Sequence, residues 1–224
     1  MTAFGTSIND VYTRDVIDEA NIAPFGQENI YLSFINDMNN LVTSGMVGDW
    51  DAMPYDWRFA VDDIVRRGSV SVNDNGEEEI RYDAPLSDGI EPLIVTKLRK
   101  LIENSQNGKV TIVAHSNGGL VAKELISALQ NDLAFDTELL DHIDKLILVA
   151  VPQAGTPKAV TTLLHGDGQF IPLGLLSAKD DRTLAEYMLG AYGLLPSRAY
   201  FENVNDPVIS FTENVTWILG LESY

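Results

Sequence analysis

A mixed α/β fold, built on a mostly parallel sheet flanked by helices, is predicted by three neighbouring features of this sequence. Val110-Thr111-Ile112-Val113-Ala114 is apolar on both faces, as expected of a parallel strand covered by helices on each side. Gly118 to Gln130 follows as an amphipathic helix with Val121, Leu125, Ala128 and Leu129 on its packing side. Leu146-Ile147-Leu148-Val149-Ala150-Val151 is a second strand of the same character, ended by Pro152. Strand, helix and strand at this spacing make a βαβ crossover.

The remaining elements can be read in order. Val11 to Ala20 has the pattern of a short helix, and Pro24-Phe25-Gly26 reads as a turn or loop. Tyr31, Phe34, Ile35, Met38, Leu41 and Val42 recur at helical spacing, with Gly45 as a stop. Trp50 to Tyr55 is expected to be a short strand running into a turn at Asp56, and Phe59 to Arg67 a helix ending at Gly68. Val70-Ser71-Val72 and Ile80-Arg81-Tyr82 flank an Asn75-Gly76 step, which favours the positive backbone angles of a tight hairpin. Residues 69–83 are therefore expected to form a surface hairpin, with Glu77-Glu78-Glu79 as its solvated tip. Glu91 to Ser105 is an amphipathic helix carrying Ile94, Leu98, Leu101 and Ile102 on one face, with Pro92 in its tolerant first turn. After Pro152 the chain is broken by Gly155, Pro157, Gly166, Gly168, Pro172 and Gly174. Thr183 to Tyr192 then returns as a helix ended by Leu194-Leu195-Pro196-Ser197. We read 1–224 as a single domain in which 152–200 is a lid or cap excursion above the sheet.

Bulk composition narrows the function classes. With 224 residues, 45% of them apolar and 21% charged, the chain can bury one sizeable core. Thirty-three acidic residues against fifteen basic ones give a formal charge of −18. That field repels phosphate backbones, so a nucleic-acid partner is not expected. Its simplest meaning is a well-solvated acidic surface; a salt-rich or calcium-rich habitat is the other. No apolar stretch reaches the roughly 18 residues of a membrane span, and Met1 to Thr6 lacks the pattern of a signal peptide. Neither feature fixes a compartment. With no cysteine there is no disulfide, thiol nucleophile or thiolate metal site. The three histidines lack ligand spacing and no phosphate-cradling glycine loop is present, so neither metal nor cofactor is expected.

The chemistry concentrates at Ala114-His115-Ser116-Asn117-Gly118-Gly119, between the first strand and its helix. Small-x-Ser-x-Gly in that setting is a nucleophile elbow, with alanine in place of the first glycine. A serine held on so sharp a turn takes a strained backbone angle, and the residues two before and two after must be small. Ser116 is the candidate nucleophile. The amide of Asn117, at the helix start, is the candidate oxyanion donor. A plain turn with a serine N-cap would explain Ser116, though not the small residues on both sides of it.

Met53-Pro54-Tyr55-Asp56-Trp57-Arg58, ahead of the elbow, resembles the Pro-Tyr-Asp-Trp-Arg signature of the lecithin:cholesterol acyltransferase-like lipases. The elbow matches that family too. Val151-Pro152-Gln153-Ala154-Gly155-Thr156-Pro157-Lys158-Ala159 and Leu194-Leu195-Pro196-Ser197 resemble its lid-entry and lid-exit segments, so the resemblance covers roughly residues 30–212. It implies an α/β-hydrolase fold and ester chemistry on a lipid or other ester substrate, by hydrolysis or acyl transfer. From the residues alone the signature has a structural reading: Asp56 and Arg58 pair across a turn, with Trp57 and Tyr55 packed beneath.

Serine attack needs a general base, normally a histidine held by a carboxylate, and in this fold both follow the serine. His142 lies just before the second strand, at the wrong end of the sheet. His165 lies in the excursion with no acid ahead of it, and the side chain of His115 must point away from that of Ser116. Gly166-Asp167-Gly168 lies before the lid's end, where the family's acid-bearing motif lies beyond it; Asp206 precedes any convincing strand. Met1 to Asn29 holds no clear first strand or oxyanion loop. The expectation is an incomplete domain, an internal portion of a longer, secreted or cell-envelope protein, with little hydrolytic activity by itself. The competing reading is a hydrolase-like module that has lost catalysis and serves binding or scaffolding.

Overall fold

The computed structural model describes residues 12–22, 26–82, 86, 89–166, 182–183 and 185–203. Helices and small sheets alternate along them, in keeping with an α/β chain, but the mostly parallel sheet expected from the sequence is not seen among the described residues: they form three separate strand pairs, two antiparallel and one parallel. Strands β1 (Glu19–Ile22) and β2 (Gly26–Asn29) form an antiparallel pair. The helix expected over Val11 to Ala20 is therefore replaced, over its described part, by extended chain; Thr13 bridges Ile80. Pairing outweighs the weak local helical pattern there.

Helix α1 (Leu32–Thr43) follows. Its apolar positions have helical spacing, yet none is buried and Phe34 is largely exposed, with its ring edge against Trp50. Trp50 to Tyr55, expected as a strand, is irregular chain. Lys97 explains part of this: its ammonium, held by the Asp51 carboxylate at 2.8 Å, also reaches the Ala52 carbonyl at 2.9 Å, a backbone acceptor a strand would use for pairing.

Helices α2 (Val61–Arg67), α3 (Leu93–Asn104) and α4 (Gly118–Asn131) build the core. Ile64, Val65, Val95, Leu98, Val121, Leu125 and Leu129 are buried together with Tyr82 and Phe59. The hairpin forms as expected from β3 (Ser69–Val72) and β4 (Glu78–Arg81), with Gly76 at φ +80° in its turn. Its acidic tip is only partly solvated. Glu79 is buried, accepting from Asn73 Nδ2 at 2.8 Å and Arg81 Nη2 at 3.1 Å.

Strands β5 (Val110–His115) and β6 (Ile143–Val149) pair in parallel, Ala114 opposite Leu148 and His115 opposite Val149. α4 crosses between them, and a 3-10 turn (Thr137–His142) leads into β6, with Leu139 buried. The strand expected at Leu146–Val151 starts and ends earlier, because Ala150 leaves it with φ +49°. One face of the pair, through Val110, Ile112 and Ala114, packs against the helical core. The other presents Val113, Ile147 and Val149, each 45% exposed. Double coverage was the sequence expectation; among the described residues only one face is covered, since α3 and α4 both contact β5 from the same side as that core.

Beyond β6, α5 (Pro157–His165) is capped by Thr156, whose hydroxyl accepts from the Lys158 amide. Short helices α6 (Leu189–Tyr192) and α7 (Arg198–Asn203) close the described chain. Pro24, Phe25, Asp167, Gly168, Pro172, Gly174, Asp206, part of the Thr183–Tyr192 helix and all of Met1–Val11 lie outside the described residues.

Candidate active site

Ser116 sits where β5 ends and α4 begins, with φ +52° and its surface exposed. A serine holds that left-handed angle only against a steric cost of about 1–3 kcal/mol, so the surroundings must impose it. They do so by hydrogen bonding. The Ser116 N–H donates to the Val149 carbonyl at 2.9 Å, and its own carbonyl accepts from Gly119 N–H at 3.0 Å. The strand pairing thus runs to the turn residue itself, and the helix starts two residues later, at Gly118.

Asn117, not Ser116, is the N-cap of α4, and no side chain caps that end. Leu120 and Val121 amides use the Asn117 carbonyl, whereas the N–H groups of Asn117 and Gly118 donate to no carbonyl among the described residues. Two open donors at a helix start suit an anion or a developing oxyanion. Ala114 is buried beneath the turn, and a Cβ added to Gly118 would stand in ordinary van der Waals contact with the Tyr55 hydroxyl, at 3.6 Å.

Tyr55 brings the Pro-Tyr-Asp-Trp-Arg segment behind the elbow. Burial pushes its hydroxyl up to about 12, and side-chain contact with Asn117 works in the opposite direction. Asn117 Oδ1 is itself buried without a hydrogen-bond partner among the described residues. The buried Tyr82 hydroxyl is also raised, by burial first and by the Asp56 carboxylate next. Both phenols are held neutral by the fold above their unfolded value of 10. Their stabilising contribution is complete below pH 10 and is lost as pH climbs through the folded values. Thermal melts should therefore show stability falling steeply between pH 10 and 12, and Tyr55→Phe should flatten that limb; an unchanged slope would contradict the burial of this hydroxyl.

Asp56 and Arg58 pair as the sequence implies. Nε reaches Oδ1 at 2.8 Å and Nη2 reaches Oδ2 at 2.5 Å, while the Arg58 amide also donates to Oδ1 at 3.0 Å. The hydrogen bond to Asp56 raises the guanidinium further. Trp57 departs from expectation: it is 52% exposed rather than packed beneath the turn. The turn explains this: Asp56 and Phe59, three residues apart across it, take the inward positions and leave Trp57 outside. The same turn touches the later excursion. Gly190 N–H donates to the Arg58 carbonyl at 3.1 Å, and an added Cβ there would overlap the Trp57 carbonyl and lie 2.8 Å from that of Phe59. Gly190→Ala should cost roughly 1–3 kcal/mol in chemical denaturation, because the obstacle is backbone that cannot rotate aside. A neutral result would mean that α6 does not rest on this turn.

Histidines are placed as follows. His115, on the uncovered sheet face, meets Tyr31 through its Nδ1 at 2.7 Å, the rings edge to face at 5.7 Å. Tyr31 was not anticipated as part of the site; its position just ahead of α1 was the only signal. His142 lies at the opposite end of β6 and bonds the Gly108 carbonyl at 2.7 Å. His165 ends α5 and is exposed. None hydrogen-bonds to Ser116 among the described residues. A cleft of about 620 Å³ lies apart from the elbow, lined by Asp15, Val16, Asp18, Ile35, Asn39, Trp50, Asp51 and Ala52. No group of three or more His, Asp or Glu side chains among the described residues could hold a metal ion. No helix among them is long and apolar enough to cross a membrane.

Neither a curated protein nor a solved structure matches the chain. A family match does exist, and it spans both the Pro-Tyr-Asp-Trp-Arg turn and the elbow packed against it. Over residues 11–217 the sequence fits the lecithin:cholesterol acyltransferase family, and the chain belongs to that family.

Proposed function

We propose that the chain carries the nucleophile-bearing core of a serine-dependent lipid esterase or acyltransferase of the α/β-hydrolase type, acting through an acyl-enzyme at Ser116. Membership of the family carries acyltransferase- or lipase-type chemistry on lipids. The observation behind the assignment of Ser116 is its left-handed backbone at the junction of β5 and α4, beside two amides with no carbonyl partner among the described residues. In this reading Ser116 Oγ attacks the ester carbonyl and its proton passes to a general base. The oxyanion that forms is held by the Asn117 N–H, and collapse expels the alcohol. Water or a second hydroxyl then takes the acyl group and restores the serine. In this reading residues 152–200 form a cap whose entry and exit are tied together, Thr156 N–H donating to the Leu194 carbonyl and Ser197 N–H to that of Ala154, each at 2.8 Å. The charge of −18 argues against nucleic acid as a partner. A fluorophosphonate probe followed by peptide mapping tests the proposal in the full-length protein. Labelling at Ser116 is expected; a folded protein that stays unlabelled would favour the scaffolding alternative.

A further inference from the structure

Ser116 is not the only strained residue at this sheet end. Ser116 and Ala150 are the non-glycine residues with positive φ among those described, at +52° and +49°. They follow the paired residues His115 and Val149, so two adjacent parallel strands leave the sheet at the same level through left-handed turns. Ser116 has a catalytic explanation in the reading above, whereas Ala150 has none. A strained alanine persists only where its surroundings over-determine it.

What Ala150 achieves is the placement of Val151. The turn sets the Val151 side chain directly on the bare Cα of Gly119, the second residue of α4. A Cβ added to Gly119 would overlap both methyl groups of Val151 and stand 2.8 Å from its Cβ. Gly119 is buried, and its N–H is the donor that closes the elbow on the Ser116 carbonyl. The Val149 carbonyl, immediately before this second turn, holds the Ser116 N–H. The segment from Val149 to Val151 therefore grips the elbow twice, once by a hydrogen bond to Ser116 and once by side-chain contact with Gly119.

We propose that Val151 is a positioning residue for the Ser116 site: seated on Gly119 by the left-handed turn at Ala150, it fixes how far the first turn of α4 stands from β6. It thereby fixes where the Asn117 amide points relative to Ser116. The role rests on the assignment of Ser116 as nucleophile. Val151 is assigned no contact with the reacting atoms; it acts through Gly119. Misplacement of reacting groups by about 1 Å costs up to about 100-fold in rate, so a contact this close has a measurable consequence.

The test is a compensation series in the full-length protein: Gly119→Ala, Val151→Ala, Val151→Gly and the pair Gly119→Ala with Val151→Gly. Three quantities are followed: the fluorophosphonate labelling rate constant at saturating probe, the melting temperature, and amide exchange at Ser116 and Gly119 against the middle of α4. Gly119→Ala is expected to slow labelling by about 10–100-fold. Val151→Ala, which leaves a gap and no clash, is expected to slow it by a few-fold while the protein stays folded. Both should speed exchange at Ser116 and Gly119 more than in mid-helix. The paired variant should label faster than Gly119→Ala alone, because removing the Val151 side chain makes room for the new methyl. Losses that follow melting temperature alone, uniform exchange along α4, or no recovery in the pair would overturn the proposal. Should the wild type itself fail to label, the nucleophile assignment fails, and site-selective exchange still decides whether Val151 sets the helix start.

Discussion

Replacing Ser116 with alanine in the full-length protein is expected to abolish fluorophosphonate labelling and lower ester turnover by about four to six orders of magnitude. The size follows from what is lost. Without the hydroxyl no acyl-enzyme forms, and only the amides of Asn117 and Gly118 remain to stabilise charge on a substrate attacked by water. The variant should fold as well as the parent or slightly better, because Ser116 is exposed and the left-handed angle is no worse for alanine. Ser116→Gly should relieve the angle and be equally inactive. Turnover within tenfold of the parent would place the nucleophile elsewhere, whatever the backbone looks like.

The second large effect is expected at Asp56. Its carboxylate is 8% exposed and the Arg58 side chain 17% exposed, and the two meet through two nitrogens of the guanidinium. Removing Asp56 strips the Arg58 guanidinium of this carboxylate at a site that water reaches poorly. Asp56→Ala is expected to cost about 3 kcal/mol in urea unfolding, the lower end of the range for buried pairs because Arg58 keeps some solvent. Asp56→Asn should cost less, since its oxygen still accepts from the Arg58 amide. A loss under about 1 kcal/mol for the alanine variant would class the pair with surface ion pairs. Because the Arg58 carbonyl also holds Gly190, labelling of Ser116 and the order of α6 should respond together.

Local chemistry made much of this legible from sequence. Helices α2, α3 and α4 follow their apolar spacing, and the hairpin forms around Gly76. The bend at Ser116 lies between the strand and helix that the pattern required. Misses fall where non-local pairing decides. Glu19–Ile22 is a strand because Gly26–Asn29 is there to pair with it. Trp50 to Tyr55 is irregular while Lys97 bonds Asp51 and Ala52. α5 was hidden among chain breakers, although Thr156-Pro157 is a cap followed by a proline that a helix tolerates in its first turn.

By itself the sequence determined the βαβ unit, the serine at its turn and the family, because each depends on short-range spacing and residue size. Tertiary structure decided the rest: that Tyr55 stands behind the elbow, that His115 turns to Tyr31, and that Val151 rests on Gly119. Those contacts join segments far apart in the chain. Their geometry depends on how strands and helices pack, which local spacing does not encode.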